Sequence, residues 1–113
     1  MRAIALLTGN QTIGQARPAL GLSDEVWSGL YPIVMGEPDM PTLTRIWRHQ
    51  YGAEADHVLA ISEFPALLGE LGALRHRHPA VLAQPEVGDF FERLTALCRE
   101  AERSGARLAF IAD

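Results

Sequence analysis

Apolar residues in this chain occur in two ways, as short unbroken runs and as longer stretches with helical spacing. Arg2-Ala3-Ile4-Ala5-Leu6-Leu7 is an unbroken run cut off by Thr8-Gly9-Asn10, which predicts a buried strand ending in a turn. His57-Val58-Leu59-Ala60-Ile61 and Leu108-Ala109-Phe110-Ile111 predict strands for the same reason. Between the last two, Ser62 is placed to cap a helix on which Phe64, Leu67, Leu68, Leu71 and Leu74 share one face. A second helix is predicted from the recurrence of Val87, Phe90, Phe91, Leu94, Leu97, Cys98 and Ala101. Asp89 and Glu92 have the spacing of a capping box near its start, and Gly105 supplies a left-handed stop.

The remaining segments are punctuated more heavily. Gly14, Pro18 and Gly21 leave room only for a short helix before Ser23. Ser23-Asp24-Glu25 reads as a helix start that Gly29 and Pro32 stop within two turns. Tyr31 to Met35 then reads as a short strand or buried loop before the turn Gly36-Glu37-Pro38-Asp39. Thr42 to Tyr51 carries Leu43, Ile46 and Trp47 on one side and predicts a helix ended by Gly52. Gly69 and Gly72 interrupt the leucine-rich helix, where close backbone packing would account for them.

Strands alternating with helices predict an α/β fold: a small three-stranded sheet of Ala3–Leu7, Val58–Ile61 and Leu108–Ile111, in parallel pairing, with helices packed on it. The alternative is α+β, with Tyr31 to Met35 adding an antiparallel strand. The 113 residues, 48% of them apolar and 21% charged, suit residues 1–113 forming a single globular domain. No apolar run approaches the roughly 18 residues of a membrane helix, and Met1 to Leu7 leads to no secretory cleavage site, so a cytoplasmic protein with no membrane partner is expected.

All ten basic residues are arginine, set against fourteen acids for a formal net charge of -4. That balance disfavours nucleic-acid binding. The single cysteine, Cys98, excludes an intramolecular disulfide and reads as a small core hydrophobe. Thr8 to Gly14 follows a strand but lacks the Gly-Lys pair of a phosphate loop and the three-glycine dinucleotide spacing, so no nucleotide cofactor is expected. His76 and His78 stand two apart on a helix and face different ways, which argues against a metal site; cations at a helix C-terminus complement its exposed carbonyls. The acid pairs Glu37 with Asp39 and Glu54 with Asp56 suit an arginine-binding surface or an acid and base pair, or simply turns.

The segment Arg45-Ile46-Trp47-Arg48-His49-Gln50-Tyr51 is rich in the side chains that carry energy at protein interfaces, although its spacing equally suits Trp47 as a core residue with the arginines at solvated helix positions. With the acids that follow, it makes Arg45, Trp47, Arg48, Tyr51, Glu54 and Asp56 the candidate partner-binding residues, Trp47 or Tyr51 filling a pocket while Glu54 and Asp56 pair with cations. The order of elements, together with Arg99-Glu100-Ala101, Gly105, Leu108, Phe110 and Ile111, resembles the barstar family of intracellular ribonuclease inhibitors. Small bacterial stand-alone domains with a leucine-rich helix before a closing Phe110-Ile111-Ala112-Asp113 are similar too. The acidic, tyrosine-bearing target-binding segment of the inhibitors has no counterpart in this chain, so no residue role carries over. The resemblance implies a parallel sheet and an intracellular protein-binding module, an inhibitor of a basic toxin or enzyme domain. A structural or regulatory protein without catalytic activity, or a small enzyme, are the alternatives.

Overall fold

A computed structural model describes residues 2–48 and 56–111. The elements run β1 (Arg2–Leu7), a 3-10 turn (Ile13–Gln15), β2 (Pro18–Leu22), α1 (Asp24–Met35), α2 (Pro41–Arg48) and β3 (His57–Leu59). A second 3-10 turn (Ile61–Glu63) leads into α3 (Phe64–Arg77), α4 (Pro79–Leu82), α5 (Pro85–Ser104) and β4 (Arg107–Ile111).

The sheet has four strands in the order β2-β1-β4-β3, and every neighbouring pair is antiparallel. The expected three-stranded parallel sheet is not formed, nor is the parallel arrangement implied by the resemblance to ribonuclease inhibitors. The unbroken runs of β1 and β4 caused the error. Such runs report burial on both faces, which parallel strands require, but central antiparallel strands can have it as well. Here Ile4 pairs Phe110 on one face and Ala5 pairs Ala109 on the other, and all four are buried. The fourth strand, β2, lies in the segment expected to hold only a short helix. Its Leu20 and Leu22 are buried and alternate with exposed Ala19 and Gly21, and Pro18 sits at the start of an edge strand, where proline is tolerated.

The helices cover one face, where Ile4, Leu20, Leu22, Leu59, Leu108 and Phe110 join their apolar stripes in one core. α1 is the second correction, because it continues through Gly29 and Pro32 to Met35, so that Tyr31 to Met35 is helix rather than strand or loop. Burial of Val26, Trp27, Leu30 and Val34 on one side outweighs the local cost of both breakers. Ser23 Oγ caps it by accepting from Val26 N at 3.2 Å.

α5 begins at Pro85, five residues earlier than a capping box with Asp89 as N-cap would place it. Asp89 is an interior position whose carboxylate pairs with Arg93 one turn on at 3.0 Å. Gly105 ends the helix at φ 69°, as its sequence predicts. Gly69 and Gly72 are not at close contacts: a Cβ added to either meets nothing within 4 Å. Gly88 is the crowded one, since a Cβ there would lie 2.8 Å from the Leu82 carbonyl oxygen where α4 turns into α5.

Candidate functional site

The segment around Trp47 is where sequence places a partner surface, and most of it is committed elsewhere. Trp47 is 1% exposed, stacked on Trp27 with ring centroids 4.5 Å apart and planes 9° apart, and its Nε1 donates to the Trp27 carbonyl at 3.2 Å. It is core and cannot fill a partner's pocket. The Arg2 guanidinium lies 3.8 Å from the Trp27 ring centroid, in cation–π range. Arg45 is exposed but pairs with Glu63 at 2.7 Å. Arg48 is exposed and Asp56 half-buried, while Tyr51 and Glu54 lie outside the described residues. The structure therefore brings no cluster together from Arg45, Trp47 and Arg48.

A second group that sequence left open forms a compact ionic cluster. The turn after α1 presents Glu37 and Asp39 to the end of α3, where Arg77 donates to Glu37 Oε2 at 2.7 Å and to both Asp39 oxygens at 2.7 and 2.9 Å. His78 Nε2 meets Glu37 Oε1 at 2.7 Å. The contacts from His78 and then Arg77 hold Glu37 below its ordinary pKa, and Arg77 does the same to Asp39. The Glu37–Asp39 pair is thus an arginine-binding surface, as its spacing allows, but the arginine belongs to the same chain. Each of the four carboxylate oxygens has a partner in this ion pairing, so the arrangement is a latch between the turn after α1 and the end of α3.

Other chemistry-bearing groups are also engaged internally. Glu70 is buried on α3 and its carboxylate accepts from Leu43 N at 2.9 Å and Thr42 N at 3.3 Å, capping the start of α2. Glu63 accepts from Ala60 N at 3.0 Å, and this bond, with that to Arg45, lowers its pKa. The Cys98 thiol is pushed up to about 12 by burial and by the Glu102 charge, which leaves it protonated and unreactive. The Thr8 to Gly14 loop closes on itself, with Gln11 Oε1 accepting from Thr8 N at 3.0 Å and Arg107 donating to the Gly9 and Gln11 carbonyls at 3.2 and 3.0 Å. Among the described residues no group of His, Cys, Asp or Glu side chains could hold a metal ion, and no helix is long and apolar enough to cross a membrane.

What remains open is a groove of about 490 Å³ between α1 and the junction of α4 with α5. Val26, Leu30 and Ile33 form one wall and Val81 and Val87 the other. Two local choices of sequence keep it open. Gly29 faces it with no side chain, and a Cβ there would meet nothing within 4 Å. Pro85 starts the first turn of α5 on the opposite side, without an N–H that would need a partner. Glu25 and Glu86 stand exposed at its rim, one from the first turn of each helix. Sequence reading missed the groove because its walls come from segments 50 residues apart. The available signal was the spacing of Glu25, Gly29 and Ile33, which puts an acid, a gap and an apolar side chain along one helix stripe.

No family model, no curated protein and no solved structure matches this chain.

Proposed function

We propose that this chain is a protein-binding module whose site is the α1–α5 groove, and that its partner presents a bulky apolar side chain flanked by arginine or lysine. The observation that carries this reading is the groove itself, a concavity with apolar walls and two exposed carboxylates at its rim. Apolar walls supply affinity through burial, and rim carboxylates steer a cationic partner and reject an acidic one. The net charge of -4 acts in the same direction at longer range. A cytoplasmic inhibitor that neutralises a basic toxin or enzyme domain is the physiological form of this reading, and the groove replaces the Trp47 neighbourhood as its contact surface.

The test is a selection from a random peptide display library on the wild-type protein, followed by binding measurements on Gly29→Leu and on the double change Glu25→Gln, Glu86→Gln. Enriched peptides are expected to share an apolar residue with basic neighbours. Gly29→Leu fills the groove and should reduce their affinity tenfold or more, and the double change should reduce it mainly at low salt. Binders indifferent to Gly29→Leu would remove the groove as the site.

A further inference from the structure

The groove does not end at Glu86. It continues into a hollow of about 390 Å³ that shares Glu25, Val26 and Glu86 with it and passes between β2 and Phe90 of α5. That hollow in turn shares Leu20 and Arg93 with a third of about 280 Å³, which reaches Ala96 and Glu100. The three form one trough along α5. From Glu86 to Glu100 the helix rises roughly 21 Å, the length of about six extended residues.

One side of the trough is a strand edge. β2 ends the sheet, hydrogen-bonded to β1 alone, and its residues Leu20, Gly21 and Leu22 line the middle hollow. Pro18 has no N–H to offer and the register shifts between Ile4 and Ala5, so the start of the strand is blunted against open-ended pairing. The part beside the trough, Leu20 to Leu22, is regular. Along the trough stand the carboxylates of Glu25, Glu86, Asp89 and Glu100 against the single cation Arg93, which pairs with Asp89.

We infer that the trough binds an extended segment of a partner protein, with apolar and basic residues in turn at every second position, which adds as a fifth strand to the outer edge of β2. This rests on the proposed binding role of the groove and names the form its ligand takes. A strand on β2 points alternate side chains to opposite faces. The set that faces the helices enters the hollows over Leu20, Phe90 and Leu97, where its apolar members meet those side chains and its basic members meet the carboxylates of α1 and α5, while the other set faces away from the helices. An extended segment satisfies the free backbone groups of β2, whereas a helix laid in the trough would leave them unpaired.

The probe is a blocked synthetic heptapeptide with leucine and arginine in turn at its odd positions and threonine at its even ones, compared with its glutamate-for-arginine counterpart and with a series N-methylated at one backbone nitrogen at a time. Amide shifts and hydrogen exchange are read on the full chain. The arginine peptide should shift Gly29 and Val87 and protect amides between Ala19 and Leu22, the acidic peptide should do neither, and N-methylation should weaken binding tenfold or more at every second position only. Shifts at Gly29 and Val87 with no protection in β2 and no alternation would overturn strand addition while leaving the groove reading intact. No response at either place would overturn both. Protection of β2 without peptide, rising with protein concentration as a dimer forms, would make the trough an interface between two copies and overturn the inference.

Discussion

Leu94 has no exposed surface and sits at the centre of the α5 stripe, in the core that this helix shares with the sheet. Leu94→Ala should cost about 2–5 kcal/mol, the range for a buried leucine whose surroundings collapse only partly. Urea unfolding measures it, and a loss under about 1 kcal/mol would place the side chain outside the core. At this scale the sequence was informative wherever a helix kept its period. Phe64, Leu67, Leu71, Leu74 and the α5 stripe are buried as their spacing requires. Cys98, on that stripe, is likewise buried. Trp47 was legible only as amphipathic. Its period allowed burial, its arginine neighbours suggested an interface, and what decided the matter was Trp27, which stacks on it from 20 residues away.

The elements depend on side chains that lie far off in sequence. α2 has eight residues, too few to be stable alone, and its first free N–H groups are capped by Glu70 from α3. Glu70→Ala would leave both N–H groups buried without an acceptor and should cost about 1–3 kcal/mol. Hydrogen exchange should rise first at Thr42 and Leu43, and unchanged exchange there would mean another group takes over the cap. The helical glycines divide by space. Gly69→Ala and Gly72→Ala add a Cβ to open space on α3 and should each stabilise by up to about 1 kcal/mol. Gly88→Ala drives a Cβ into the Leu82 carbonyl and should destabilise, so thermal unfolding should move in opposite directions for the two sets. Local spacing could not separate these glycines, because the neighbour that crowds Gly88 comes from the chain folding back at α4.

Across the whole molecule, strand positions were legible and strand directions were not. β1 and β4 stand where unbroken apolar runs put them, and β3 stops at Leu59 because its run turns into the 3-10 segment at Ile61, but pairing is fixed by how the chain returns to the sheet, and β1 and β4 are joined by all the elements between them. The trough is a product of the same return, since β2, α1 and α5 meet only in the folded chain. The latch of Glu37 and Asp39 with Arg77 and His78 links segments about 40 residues apart and gives the fold a predictable response to acid. Both carboxyl groups titrate below their ordinary values because their partners favour the charged form. A depressed folded pKa means the unfolded chain takes up protons first. The latch therefore contributes its full stability above the ordinary carboxylate range, about pH 4, and loses it as pH falls further through the folded values. Arg77→Gln should lower stability at neutral pH and flatten the decline between about pH 5 and pH 2, so that the variant and wild-type curves converge in acid. Glu63, also depressed, and Glu37, still held by His78, leave a residual slope in the variant. Unfolding midpoints measured across that range decide the matter: curves that stay parallel would show that the Arg77 contacts contribute nothing to the pH dependence of folding.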